Sequence, residues 1–266
     1  MNWFDPSDDI VLRPETERAR FWLRKYGNDC IEVASQVIYA NNGHGHLFDA
    51  VCQVLDTSSS ILHDFRGQGY CHYLSSNEKC ITVYRAPEPA PYAAADLEFL
   101  ISAGACKILF LNGAGSLYSH IPPGSILLPH QLLREEGTSY HYAPSNIILS
   151  TNAKLNEQIA GNARNLQINF VQGDHWTTDA IYRETFGKID RYRERGIISV
   201  DMELAALAGV AYFRKCALSA ILVVTDVASR SHTWEDTHLV QFHRGVQQAA
   251  QLAAAVFLLS SEIYCL

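Results

Sequence analysis

Long hydrophobic runs, paired cysteines and an excess of basic charge are all missing from this sequence of 266 residues. The most apolar stretch, 252–259, is far shorter than the roughly 18–20 residues that would cross a bilayer. Seven cysteines are widely scattered, with no Cys-x-x-Cys among them. Neither a zinc knuckle nor a disulfide framework is signalled, and the expectation is a reduced, cytoplasmic protein with buried thiols. Lys and Arg number 21 against 28 Asp and Glu, a net charge of −7. With no basic run to neutralise phosphates, the charge argues against an electrostatically driven nucleic-acid binder. A small anionic substrate is not, because it needs only a local positive site. The acidic, polar start does not read as a secretory signal. Cys265 is next to last, where a prenylation box needs a cysteine four residues from the end. No Gly-x-Ser-x-Gly elbow occurs, and no cysteine has a nucleophile-type context. His44 and His46 have strand-type metal spacing but sit in a glycine-broken loop without a third ligand, so no metal is expected.

What is present is an ordinary globular composition, 48 % hydrophobic and 18 % charged, long enough to bury a sizeable core. Short β-branched runs at 31–40, 80–85, 107–111, 125–128, 168–172 and 218–225 read as buried strands. Amphipathic or Ala-rich stretches at 14–26, 47–55, 93–104, 152–165, 202–215 and 236–259 read as helices. Their alternation indicates an α/β fold with a mostly parallel or mixed sheet covered by helices. No repeat, low-complexity tract or linker divides the chain, so residues 31–266 are expected to form one domain and 1–30 an N-terminal extension. In such folds ligands collect at the carboxyl ends of strands, so the polar residues just after each strand are the informative ones.

Five segments stand there. Lys107-Ile-Leu-Phe-Leu-Asn-Gly-Ala-Gly-Ser116 reads as a strand entering a glycine-rich turn, where small residues could let backbone N–H groups converge on an anion. The Ile121-Pro-Pro-Gly124 that follows argues against a dinucleotide site. Arg134 to Tyr142 gathers polar and aromatic groups suited to a flat heterocycle. Trp176 to Thr185 fits either a binding loop or a helix start capped by Thr178 or Asp179. Val200-Asp-Met-Glu203 leads into an Ala-rich helix. There Glu203 could accept hydrogen bonds from sugar hydroxyls, with Met202 packing beneath, or serve as an acid near a helix start. Leu222-Val-Val-Thr-Asp226 ends a buried strand on an acid, which is costly unless paired or functional. Asp226 is therefore a general-acid candidate or a helix cap.

In order along the chain, Asn112-Gly-Ala-Gly-Ser-Leu117, Thr178-Asp-Ala-Ile-Tyr182, Val200-Asp-Met-Glu203 and Val224-Thr-Asp226 resemble the nucleoside phosphorylase-I superfamily. That family holds purine nucleoside and uridine phosphorylases and the methylthioadenosine/S-adenosylhomocysteine nucleosidases. Glu136-Gly-Thr-Ser-Tyr-His-Tyr142 and the Trp176 to Thr185 segment look like a uridine-phosphorylase-like branch. The similarity spans roughly 80–260. It implies a three-layer α/β/α sandwich with a central mixed, barrel-like sheet, and cleavage of a nucleoside N-glycosidic bond. By the same resemblance Glu203 would bind the ribose hydroxyls and Met202 would pack on the sugar. Asp226 would protonate the leaving base, and Ile181, Tyr182, His141 and Tyr142 would line the base and sugar. Asn112, Gly113, Ala114, Gly115 and Ser116 would form the phosphate or catalytic-water loop.

The chain departs from the family at the phosphate site. It has no N-terminal Gly-Asp-Pro-x-Arg motif, carries Phe110 where the family places an arginine, and has Gly113 at the position of a Ser/Thr. Ala86-Pro-Glu-Pro-Ala-Pro91 stands in for the Gly-x-Gly-x-Pro loop. Arg66 and Arg85 are the candidate substitutes, since a guanidinium can hold phosphate bidentately. The expected activity is that of a transferase, a nucleoside phosphorylase using inorganic phosphate as co-substrate and no other cofactor. Hydrolysis by a nucleosidase and nucleoside binding by a weakened relative are the alternatives. Asp226 points to a purine and the Tyr140 to Tyr142 segment to uridine, so the base stays open. A homo-oligomer is implied by resemblance, with neither nucleic acid nor membrane as partner.

Overall fold

Apolar runs of five to ten residues need two covered faces, and the chain meets that need by wrapping helices around one extended sheet. The computed structural model describes residues 3–7, 10–16, 33–43, 46–63, 68–74, 80–228 and 239–258. The strands are β1 (Gln36–Asn41), β2 (Leu62–His63), β3 (Gly69–Leu74), β4 (Cys80–Ala86), β5 (Lys107–Ser116), β6 (Ile126–Glu135), β7 (Leu149–Ser150), β8 (Phe170–Thr178), β9 (Ile197–Asp201) and β10 (Ala217–Val227). The helices are α1 (Leu47–Val54), α2 (Ala90–Ser102), α3 (Ser139–Tyr142), α4 (Ala153–Asn165), α5 (Phe186–Glu194), α6 (Leu204–Arg214) and α7 (Leu239–Leu258), with short 3₁₀ turns at Ser58–Ser60 and Ile181–Arg183.

Strand pairing runs β10-β6-β8-β9-β5, and β10 also pairs β5, so these five strands close on themselves as a barrel. The sheet then continues from β5 through β1, β4, β3 and β2. Pairings β1–β4, β1–β5, β5–β10, β6–β8 and β8–β9 are parallel, whereas β5–β9 and β6–β10 are antiparallel. The sheet is thus mixed and barrel-like. One face buries Leu97 and Leu100 of α2 and Leu204 to Ala211 of α6 against Tyr39, Phe110 and Leu222. The opposite face buries Phe48 and Val51 of α1, Ile159 of α4 and Val246 to Phe257 of α7 against Ile38, Leu109 and Val223. A third cluster joins Trp176 and Val200 of the barrel to Ile189 and Tyr192 of α5.

Several expectations need correction. The glycine-rich segment after Leu111 is not a turn, because β5 continues through Ser116, paired with β10 along its whole length. Strand β6 likewise runs on to Glu135, since β8 pairs with it that far. Strands β2, β3, β7 and β9 and helices α3 and α5 are additional to the strands and helices read from periodicity; most are too short or too polar to show a period. Most of the expected 14–26 helix, together with Arg66 and His44, lies outside the described residues. Cys52, Cys71, Cys80 and Cys216 are free thiols, but Cys106 is disulfide-bonded, so the expectation of wholly reduced cysteines fails there. No helix among the described residues is long and apolar enough to cross a membrane.

Helix α7 crosses the chain before β6 through two glycines. Gly124 has φ +84°, and a Cβ at Gly245 would fall 2.7 Å from the Gly124 Cα. Backbone cannot give way as a flexible side chain can, so Gly245→Ala should cost about 1–3 kcal/mol. Gly161 in α4 has nothing within 4 Å of its Cβ position, and Gly161→Ala should stabilise by roughly 0.4–1 kcal/mol. Denaturant unfolding of the two variants should move in opposite directions from the parent.

Candidate active site

Strand β5 changes partner on one edge. Its first half, Lys107 to Leu111, pairs with β1, and Gly115 and Ser116 pair with β9. Between them, Asn112 to Ala114 have no strand partner on that edge among the described residues. Strands diverging from a common neighbour leave a crevice at their carboxyl ends, the place where α/β sheets hold ligands. Gly113 and Gly115 are partly accessible there and bring no side chain to its floor.

Asn112 is buried at this fork, and its Nδ2 donates to Glu203 Oε2 at 2.9 Å. Glu203 ends the β9 to α6 connection and is itself buried. The neighbouring Asp201 caps the helix, accepting from the Leu204 N–H at 3.0 Å. Thr177 Oγ1 donates to Asp201 at 2.7 Å and accepts from the Ala205 N–H at 3.0 Å, tying β8 to the same helix start. His175 Nε2 lies 2.9 Å from Asp201 Oδ1 but is not aligned for a hydrogen bond, while its Nδ1 is 2.8 Å from Ser199 Oγ. Burial pushes the Glu203 carboxyl up to about 8, helped by the charges of Asp201 and Glu88 and opposed by the Asn112 hydrogen bond. Glu203 is therefore largely protonated at neutral pH and can donate as well as accept.

Asp226 lies on the other side of β5. A bulge between Val224 and Asp226 re-aims β10, and Asp226 then stands opposite Gly115. A Cβ at Gly115 would lie 3.5 Å from Asp226 Oδ2 and 3.2 Å from Val200 Cγ1. The carboxylate accepts from Thr225 Oγ1 at 2.5 Å. Arg193 of α5 reaches the carbonyls of Leu117 and Ala228, the latter at 2.8 Å, and so pins the ends of β5 and β10 together. Glu184, half-buried after the 3₁₀ turn, is raised to about 7 by burial and then by the Asp226 charge. Glu203 and Asp226 thus border one stretch of β5, at residues three apart, about 10 Å along a strand.

The other expected residues are placed variously. Met202 is half-buried beside Glu203, and its backbone hydrogen-bonds that carboxylate. Ala114 and Ser116 are buried in β5. Ile181 is 43 % and Tyr182 97 % exposed on the 3₁₀ turn. His141 stacks on Trp3, with ring centroids 5.3 Å apart and planes at 13°. Tyr142 packs edge-on against Phe213 and hydrogen-bonds Glu98, beside the Arg214–Glu98 ion pair. The described contacts of this pair run to the N-terminal segment, α2 and α6 rather than to Glu203 or Asp226. Arg134 is a buried strut whose guanidinium donates to Ser139 Oγ and to the carbonyls of Ala143 and Pro144, each at 2.8 Å. Arg85 turns toward α1, 3.7 Å from Asp49 and over the Phe48 ring. Cavities of about 370 and 220 Å³ lie elsewhere, lined by Gly124 and Arg244 and by Leu132 and Ile148, and neither touches Glu203 or Asp226.

Glu184 and Glu88 are acids near Asp226 and Glu203 to which the sequence reading gives no role, and Asn41 holds Glu88. The Asn-Asn-Gly after β1 and the acid inside Ala86-Pro-Glu88 are the available signals.

A model of the phosphorylase superfamily matches residues 49–260, and the chain belongs to that superfamily. A curated relative, the DeoD-type purine nucleoside phosphorylase of Aliivibrio fischeri, is 23 % identical over 113 residues. That alignment takes in 42 % of this chain and 47 % of the relative, so the chain spans about half the length of the curated relative it matches. Among solved structures, uridine phosphorylase from Vibrio fischeri superposes with a TM-score of 0.74 at 20 % identity, covering 87 % of this chain and 96 % of that one. Purine nucleoside phosphorylase from Toxoplasma gondii, in complex with immucillin-H, gives 0.71 at 18 % identity, covering 86 % and 92 %. The shared fold extends the resemblance well upstream of residue 80.

Raised acidity at Glu203 links stability to pH. Between the ordinary carboxyl range and about 8, the folded state holds a proton that the unfolded chain releases, so stability falls as pH rises through that window. The loss should be on the order of a few kcal/mol by pH 8. Urea titrations of parent and Glu203→Gln across this range check it, with the variant showing the flatter profile.

Proposed function

We propose that this chain cleaves the N-glycosidic bond of a nucleoside and passes the pentosyl group to a small acceptor. The observation that carries this reading is that Glu203, bonded to Asn112, and Asp226, opposite Gly115, flank the same end of β5 within the region matched by the superfamily. Cleaving C1′–N builds oxocarbenium character on the sugar and negative charge on the base. Glu203 and Asn112 offer hydrogen bonds to the ribose hydroxyls. Asp226 delivers a proton to the leaving base, held in place by Thr225 and by the clamp of Arg193 across β5 and β10. Binding that tightens as charge develops lowers the barrier.

Phosphate and water are the two acceptors. Phosphorolysis, to base and pentose 1-phosphate, is the reaction in the names of the relatives. Hydrolysis is favoured by a specific observation, the nature of β5. In an extended strand successive N–H groups point to opposite edges and cannot converge on an anion as a turn does. Phe110 is in the core and Gly113 has no side chain to offer. Arg85 Nη2 stands 3.7 Å from Asp49, although its buried Nε has no hydrogen-bond partner among the described residues.

Incubation with inosine, adenosine, uridine and methylthioadenosine, each with and without phosphate, tests the reading through released base. Glu203→Ala should abolish most turnover. Asp226→Asn should slow purine nucleosides by about 10²–10⁴ and pyrimidine nucleosides less. Unchanged purine turnover in the Asp226 variant would remove it as the acid.

A further inference from the structure

The fork has a third carboxylate, and its setting differs from the others. Glu88 follows β4, and its Oε1 accepts from Asn41 Nδ2 at the end of β1. The amide orientation is fixed, because Asn41 Oδ1 accepts from the Gly43 N–H at 2.6 Å. Glu88 must then be the acceptor of the Asn41–Glu88 bond. A Cβ at Gly43 would lie 2.6 Å from Oε1 and 3.1 Å from Oε2, so the Glu88 carboxylate rests close against the Gly43 backbone. Asn41 is buried, whereas Glu88 is exposed and open to water.

The register of β1 on β5 runs from Gln36 opposite Lys107 to Ala40 opposite Leu111, so Asn41 and Asn112 are the next residues of the two strands where the pairing ends. Two neighbouring asparagines therefore each hold one glutamate, Asn41 holding Glu88 and Asn112 holding Glu203, across the mouth of the fork. That proximity is felt electrostatically, since the Glu88 charge helps raise Glu203. An anionic acceptor entering here would meet carboxylates on both sides. A neutral acceptor with a proton to lose would meet a base.

Resting on the glycosidic reading above, we propose that Glu88 is the general base of this site and that the pentosyl acceptor is water. The water oxygen forms its bond to C1′ as the C1′–N bond breaks. In the reactive state Asp226 carries a proton; the electron pair leaves with the base, which takes that proton and leaves Asp226 as the carboxylate, and the proton lost by water passes to Glu88. The products are free base and free pentose, and no other reactant is required.

The test uses the full chain with a nucleoside it turns over, with product analysis in phosphate-free buffer and in phosphate. Expected are base and free pentose at a rate that phosphate does not raise. Glu88→Gln keeps the Asn41 hydrogen bond and should lower kcat by about 10²–10⁴ with KM little changed. Glu88→Ala should lose as much and recover part of it when formate is added, a rescue that a purely structural role would not show. Pentose 1-phosphate formed only with phosphate, or wild-type kcat in Glu88→Gln, would overturn the proposal while leaving glycosidic cleavage standing. Absence of base release by the parent under both conditions would instead remove the glycosidic reading, and the role of Glu88 with it.

Discussion

One strand with three partners sets everything else in this structure. Strand β5 gives one whole edge to β10 and divides the other between β1 and β9. A polypeptide edge offers only a fixed row of donors and acceptors, so two neighbours on the same edge must diverge. The divergence leaves Asn112 to Ala114 without a strand partner on that side among the described residues. It leaves a crevice at Asn112, which holds Glu203, while Asp226 stands across the strand opposite Gly115. Small residues are needed for the approach. At Gly115 even a methyl group would press on Val200, with Asp226 close behind.

Closing the barrel also brings acids together, which is costly in a poorly solvated place. The fold manages this in two ways. Asp201 keeps its charge useful by capping α6 and accepting from Thr177, where the helix N-terminus favours an anion. Glu203 takes the other course and holds its proton until about pH 8. Glu184 does the same more weakly beside Asp226. Burial thus raises Glu203 and Glu184, and neighbouring carboxylates add to both shifts.

Much of this architecture is legible in the order of the amino acids. Runs such as 107–111 and 218–225 are apolar because both faces of their strands are covered, and they fall within β5 and β10. The motif around Glu203 and the acid at 226 sit where strands end, in keeping with their polar character after apolar runs. The glycines after Asn112 mislead, because small residues that signal a turn also permit close strand packing, and the sequence does not distinguish them. His141 and Tyr142 look suited to a heterocycle by composition, yet they meet Trp3 and Phe213. Arg85 follows the same pattern, a cation claimed by Asp49 of the nearest helix.

Periodicity, motif order and composition are properties of neighbouring residues, and they determined the α/β class and the superfamily and drew attention to the carboxylates at 203 and 226. Which strands lie side by side is decided by register between segments far apart in the chain. Only the folded protein could therefore show that β5 is shared by β1, β9 and β10, that Asn112 holds Glu203, and that Asn41 holds Glu88. The physical reason is that a carboxylate's chemistry depends on its desolvation and its charged neighbours, and both are supplied by residues that are distant in sequence.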